Sequence, residues 1–302
     1  MTRRVVVLGP TASGKSDAAM AAATAVAGTE IVTVDAMQLY RGMDIGTATP
    51  GIAEQAAAPH HCLDLVGPDV EMDVIGYRAA YDRAMASIGE RGGRALLVAG
   101  TGLYLTAVLD DLRPPGRWPA VRADLERQPD LGALVAQLQH LDPVAAHRIE
   151  PGNRRRVVRA LEVTLGSGRP FSSFGPGVAA HPPTDATLIG LRWPRSVLGE
   201  RIDRRVDSMM AAGLLAEVAA LRADGPGLSR TARQAIGYKE LLDHLDGLVG
   251  LDEAVATIKA RTRRFATRQE RWFRRDPRVR WIDIEHDPVA EASPPVVDAL
   301  TR

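Results

Sequence analysis

The chain has 302 residues, 45% of them hydrophobic and 25% charged, with a single cysteine, Cys62. These values exclude wholesale disorder, a collagen-like repeat and a disulfide scaffold, and at about 150 residues per domain the length predicts two domains, or one large domain with an insertion. Thirty-eight basic residues against 37 acidic ones give a formal charge of +1, which decides nothing about nucleic acid until the charges are placed along the chain.

Val5–Leu8 is a β-branched run closed by Gly9-Pro10, and a glycine-bearing loop carries it into an alanine-rich helix from Ser16, so the chain opens as strand, loop, helix. Glu30–Asp35 is a second predicted strand and Arg94–Ala99 a third. Proline-rich breaks at 114–119 and 170–183 bracket a mostly helical segment, which predicts an inserted helical subdomain over residues 116–184. Thr187–Trp193 then returns to the sheet, and from Leu251 the spacing of Val255, Ile258, Phe265 and Trp272 predicts one face of a long amphipathic helix. Strands alternating with helices imply an α/β fold, a P-loop-type parallel sheet covered by helices, formed by 1–115 and 185–302. No apolar stretch reaches the roughly 18 residues needed to cross a bilayer. Pro10, Gly14 and Lys15 interrupt the first apolar run, so the expectation is a cytoplasmic protein with no membrane partner.

Gly9-Pro10-Thr11-Ala12-Ser13-Gly14-Lys15-Ser16 satisfies the phosphate-loop pattern between a predicted strand and a predicted helix. Glycines let backbone N–H groups converge on phosphate oxygens, the helix dipole favours an anion, Lys15 adds a point charge, and the Ser16 hydroxyl reaches Mg²⁺. The pattern calls for a diphosphate or longer without saying whether it is a nucleotide such as ATP. Asp35, at the tip of the second strand, is open to three roles: a base, a group behind a metal, or a helix cap. Gly100-Thr101-Gly102 repeats the strand-to-helix turn at the same sheet edge. His60-His61-Cys62 with Asp64 lacks a second cluster to complete a zinc site and is read as structural.

Seven stretches in order resemble the bacterial tRNA dimethylallyltransferase family, also called tRNA isopentenyltransferase. They are the phosphate loop, Asp35 to Ala48, Pro59-His60-His61, Gly100 to Tyr104, Arg159 to Val163, Gln234 to Glu240, and Arg268-Gln269 with Trp272-Phe273. The resemblance implies transfer of a dimethylallyl group from dimethylallyl diphosphate to N6 of adenosine 37 in tRNAs that read codons beginning with U. The phosphate loop then cradles a diphosphate leaving an allylic carbon, with Lys15 and Ser16-bound Mg²⁺ absorbing the developing charge. Thr101 resembles the threonine that contacts the diphosphate region, and Asp35 becomes the group that orients the adenine amine and takes its proton. Asp35, Ala36, Met37, Gln38 and Thr101 match tRNA-contacting positions, as do Arg122, Arg156 and Arg159 of the insertion. Ala36 stands where the family usually has serine, Ala99 where glycine is common, and Thr267 where lysine is frequent.

Charge placement agrees with an RNA partner. Lys259 to Arg280 holds ten basic and two acidic residues, a local +8 that leaves −7 elsewhere. Arg154, Arg155, Arg156 and Arg159 form a second cluster. The expected partners are thus a tRNA anticodon stem-loop and dimethylallyl diphosphate, bound by a monomer. Competing readings are an ATP-dependent small-molecule or nucleoside kinase, an isopentenyltransferase acting on free AMP, and a nucleotide-switched RNA-binding protein.

Overall fold

In the computed structural model, which describes residues 4–112, 114–175, 177–178, 180–223 and 227–302, the first β-branched run is strand β1 (Arg4–Leu8) and the alanine-rich segment is α1 (Lys15–Ala25). There follow β2 (Thr29–Val34), α2 (Ile52–Ala57), β3 (His60–His61), α3 (Val74–Glu90), β4 (Arg94–Ala99) and α4 (Gly102–Leu109). Four helices come next: α5 (Pro119–Arg127), α6 (Leu131–Leu141), α7 (Pro143–Arg148) and α8 (Arg154–Ser167). The chain then runs through β5 (Thr187–Arg192), α9 (Arg195–Ala211), α10 (Leu214–Ala223), α11 (Arg230–Arg233), α12 (Tyr238–Leu245), α13 (Leu251–Phe273), β6 (Val279–Asp283) and α14 (Pro288–Thr301).

All six strands are parallel, in the order β3-β2-β4-β1-β5-β6. The residues of β1, β2, β4 and β5 are buried almost without interruption, as a sheet covered on both faces requires, while the edge strands β3 and β6 are partly exposed. Leu8 lies beside Ala99, and Ala99 beside Val34, so Gly9, Gly100 and Asp35 leave three adjacent strands at one edge. From β1 the chain moves to β2 on one side, and from β4 to β5 on the other. Parallel α/β sheets open their ligand crevice at such a reversal.

Helix α1 buries Ala18, Ala19, Ala22 and Ala23, whose small side chains let it approach both the sheet and Ala292, Val296 and Leu300 of α14. From α3 the Tyr77 hydroxyl donates to the Thr33 carbonyl of β2 at 2.6 Å. His60 and His61 form β3 against β2. His61 lies 2.6 Å from the Glu30 carboxylate and His60 2.8 Å from the Ala58 carbonyl, so both imidazoles are engaged by the protein itself.

The chain divides into two compact units, Met1–Asp110 with His181–Arg302, and Asp111–Ala180. The proline breaks place the limits of the second unit at 116 and 184. The sheet unit reaches Asp110 and resumes at His181: Arg278 binds Asp110 at 2.7 Å and the Pro182 carbonyl at 2.6 Å, and His181 lies 3.5 Å from Asp276.

Within Asp111–Ala180, α5 to α8 enclose Leu125, Leu134, Leu138, Val157, Val158 and Leu161. Asp130, Asp142 and Asn153 cap α6, α7 and α8 by accepting N–H bonds from the first turns, and Gly168, in the left-handed conformation, closes α8. Glu162 is buried and fully partnered. It accepts the Trp118 N–H at 2.9 Å, Arg159 at 2.9 Å and Arg122 at 3.4 Å.

Candidate active site

The phosphate loop turns its carbonyls outward. Arg201 Nε donates to the Ala12 carbonyl and Trp193 Nε1 to the Ser13 carbonyl, both at 2.9 Å, while the Arg201 guanidinium lies 4.4 Å over the Trp193 ring. Ala12 and Gly14 hold positive φ, 62° and 84°. At Gly14 a side chain would also strike the Pro288 ring, which stands 2.3 Å from where Cβ would be. Opposed backbone handedness of this kind gathers N–H groups into an anion-binding concavity, and the first turn of α1 adds amides with no intrahelical acceptor.

The loop opens into a cleft of about 440 Å³. Lys15, Ser16 and Asp17 line it beside Arg201, Arg204 and Arg205 of α9, with Ile31, Thr33 and Val98 from the sheet and Gln38, Ala48 and Thr49 opposite. Lys15 is half-buried. Desolvation brings its ammonium down from 10.5 to about 8, Arg205 pushes the same way, and Asp35 and Asp17 oppose. Burial likewise lowers Arg205 and Arg201 from the usual arginine value. Three cations held close in a partly dry cleft call for an anion of more than one charge.

Asp35 sits where β2, the phosphate loop and the β4–α4 turn meet. Its Oδ1 accepts the Met37 N–H at 2.8 Å, so it caps its own turn. Its Oδ2 faces Gly100, where a Cβ would lie 2.7 Å from that oxygen, 3.5 Å from Lys15 Cε and 3.7 Å from Gln269 Nε2. The missing side chain at Gly100 leaves the space between carboxylate and lysine open. Thr101 Oγ1 accepts the Ala36 N–H at 3.1 Å, which ties the two strand-tip turns together. Gln38 lines the cleft but commits its Nε2 to the carbonyls of Thr47, 3.2 Å, and Ala48, 2.8 Å.

Gln269 of α13 completes the frame. It is buried, its Oε1 accepts the Thr11 N–H at 2.9 Å, and its Nε2 donates to the Gly100 carbonyl at 2.7 Å. One turn on, Trp272 packs over Gly102 so closely that a Cβ there would fall 2.2 Å from the indole.

The structure therefore gathers Gly9 to Ser16, Asp35, Ala36, Met37, Gln38 and Thr101 at one sheet edge. Arg122, Arg156 and Arg159 belong to the unit Asp111–Ala180, where Arg122 and Arg159 hold Glu162 and Arg156 is exposed. Sequence reasoning misses Arg201, Arg205 and the bridging role of Gln269. The i, i+4 spacing of Arg201 and Arg205 on a helix is the one available signal. Pairing also qualifies the +8 segment: Lys259, Arg261, Arg263, Arg274 and Arg278 are bound to Asp207, Glu240, Asp203, Glu270 and Asp276 in turn. Among the described residues, Arg264, Arg268, Arg271, Arg275 and Arg280 are exposed and form no ion pair.

Comparison with known proteins agrees with this architecture. A family model described as IPP transferase matches residues 38–276. The tRNA dimethylallyltransferase of Kineococcus radiotolerans is 49% identical over 286 residues, covering 92% of this chain and 90% of its own length, and that of Streptomyces coelicolor is 47% identical, covering 93% and 90%. Among solved structures, the tRNA isopentenylpyrophosphate transferase of Bacillus halodurans is 36% identical with a TM-score of 0.71, covering 100% of this chain and 97% of its own. A eukaryotic dimethylallyltransferase acting on tRNA is 25% identical with a TM-score of 0.81, covering 98% and 78%. By sequence over nearly its whole length, and by the fold that carries its phosphate loop, the chain belongs to the IPP transferase family of tRNA dimethylallyltransferases.

Proposed function

We propose that the protein transfers the dimethylallyl group of dimethylallyl diphosphate to N6 of adenosine 37 in a tRNA anticodon stem-loop, releasing diphosphate. The observation that carries this reading is the meeting of two chemistries at Gly100: a cationic phosphate cradle on one side and the free Oδ2 of Asp35 on the other, with Lys15 Cε and that oxygen both close to the same empty Cβ position. A diphosphate seated in the loop amides, Lys15, Arg201 and Arg205 is stabilised as it departs with the electron pair of the breaking carbon–oxygen bond. The adenine amine forms the new bond to the allylic carbon, and its proton passes to Asp35 Oδ2. Oδ1, held by the Met37 amide, fixes the carboxylate's orientation for that transfer.

Ser16, exposed at the mouth of the cleft beside Asp17, suits Mg²⁺ held mainly by phosphate oxygens and water, since among the described residues no cluster of three His, Cys, Asp or Glu forms a protein cage. Bound there, the ion would supply charge neutralisation for the diphosphate. The exposed, unpaired arginines of the C-terminal segment and Arg156 supply positive charge for the RNA backbone.

The test is direct. Purified protein with Mg²⁺, dimethylallyl diphosphate and an unmodified tRNA is expected to raise the RNA mass by one isoprene unit at the adenosine 3′ of the anticodon. ATP hydrolysis or phosphorylation of a nucleoside, without that mass gain, would overturn the reading in favour of a kinase. Prenylation of free AMP in preference to tRNA would reassign the acceptor.

A further inference from the structure

Glu217, in the first turn of α10, is bound by four donors although it lines no part of the cleft. The N–H groups of Asp44 and Ile45 reach its Oε2 at 2.9 and 2.7 Å, and the Gly46 N–H and the Tyr238 hydroxyl reach its Oε1 at 3.3 and 2.6 Å. Three successive amides around one carboxylate form a nest of the kind that loops otherwise wrap around a bound anion, and here the fold supplies the anion itself. Tyr238 is fully buried, and its ring occupies the space where Gly46 would carry a side chain, with Cε2 2.4 Å from the Cβ position. Any other residue at 46 would displace the tyrosine from its carboxylate.

From this anchor a short run of hydrogen bonds leads to the site. Thr47 Oγ1 donates to the Met43 carbonyl across the turn that Glu217 holds. The carbonyls of Thr47 and Ala48 receive Gln38 Nε2, and Gln38 lies one residue beyond Met37, whose amide holds Asp35. Ala48 and Thr49 line the same cleft as Lys15 and Ser16. The stretch 35–49 thus owes its shape at one end to β2 and at the other to a carboxylate delivered from α10.

We propose that Glu217, locked by Tyr238, is a positioning residue for the transfer reaction: by holding Asp44–Gly46 it fixes, through Gln38, the acceptor-side loop that carries Asp35. The inference rests on the functional reading above and deepens it. Glu217 lines no part of the cleft and bonds to no residue of the phosphate loop, so its replacement should alter use of the RNA acceptor while leaving the phosphate cradle intact.

The experiment uses the full chain in Glu217→Gln, Tyr238→Phe and double-variant forms. Transfer kinetics are measured with tRNA varied at saturating dimethylallyl diphosphate, and inorganic diphosphate binding is measured separately. Glu217→Gln places an NH₂ against amide donors and is expected to lower kcat/KM for tRNA by about ten- to a hundredfold, the scale set by small displacements of a reacting group. Diphosphate affinity should stay within about twofold of the parent, because every group of the 9–16 loop keeps its partners. Tyr238→Phe removes one bond of four and should cost several-fold in the same parameter, and the double variant should be no worse than Glu217→Gln, as expected of residues in one network. Parent-like tRNA kinetics in a folded Glu217→Gln protein would overturn the proposal. So would a fall in diphosphate affinity matching the fall in tRNA kcat/KM, which marks general loss of structure. If Glu217→Gln does not fold, Tyr238→Phe decides, and unchanged tRNA kinetics in it are refuting. A parent protein that transfers nothing to tRNA refutes the functional reading instead.

Discussion

Lys15 gives the sharpest quantitative test. Its ammonium, at 10.5 in an unstructured chain, is brought to about 8 chiefly by desolvation. A diphosphate needs the charged form, and that form disappears as pH rises through about 8. Affinity for inorganic diphosphate should change little on account of Lys15 below about pH 7 and fall about tenfold by about pH 9, in proportion to the shrinking ammonium fraction. The stability of the ligand-free protein should move the other way. Between about 8 and 10.5 the unfolded chain holds the Lys15 proton and the folded one does not, so this residue's contribution to stability rises with pH across that window. The ceiling is about 3 kcal/mol, reduced because the half-buried side chain is partly screened by water. The assay is titration calorimetry with diphosphate at several pH values, run in parallel on Lys15→Arg, whose guanidinium stays charged throughout. Dividing each protein's affinity by its own value at the lowest pH removes the ligand's titration and any offset from the substitution. The same profile for the parent and Lys15→Arg would refute the argument, because the ammonium would then not titrate in this range.

Asp35→Asn should lower kcat far more than diphosphate affinity, since the proposed base is removed while the cradle remains; single-turnover rates beside calorimetry separate the two, and a matching fall in both would make Asp35 part of the cradle. Glu162→Gln removes a buried carboxylate that accepts from the Trp118 N–H, Arg159 and Arg122; because both arginines are partly exposed and Arg122 keeps Glu126 at 2.8 Å, it should cost about 1–3 kcal/mol, read from denaturant midpoints at constant m-value. Neutralising Arg264, Arg271, Arg275 and Arg280 together should flatten the dependence of tRNA affinity on salt by roughly one unit of log–log slope for each phosphate no longer neutralised. Removing Arg263 and Arg274, which already face Asp203 and Glu270, should flatten it less.

The parts of the site that are legible in the sequence are those whose chemistry is written in consecutive residues. The phosphate loop, the Asp35 turn and the Gly100-Thr101-Gly102 turn each follow a strand, and parallel pairing alone brings them together. Groups that reach the site from distant helices leave no such trace. Arg201 and Arg205 read as ordinary helical arginines, and Glu217 finds its partners in Asp44, Ile45 and Gly46 only across more than 170 residues. Gln269 lies in one of the stretches that carry the family resemblance, but its bridge requires knowing that α13 passes between two loops. Charge counting overstates the free basic surface because ion pairs form in space rather than in sequence. The fold's ends are obscure for local reasons: β3 is two residues long, β6 carries an exposed Arg280, and α14 runs through Pro294 and Pro295, which lack the N–H that a helix interior uses.

Gln269 also sets the spelling allowed at its own position. A carboxamide presents an acceptor to the Thr11 amide and a donor to the Gly100 carbonyl at once, and those two partners dictate which way its head group must face. Glutamate would set a negative oxygen against a carbonyl, lysine would offer nothing to the amide, and leucine would answer neither. The side chain works as a gauge block between the phosphate loop and the turn after β4, so their separation is inherited from a helix more than 250 residues downstream of the loop it measures.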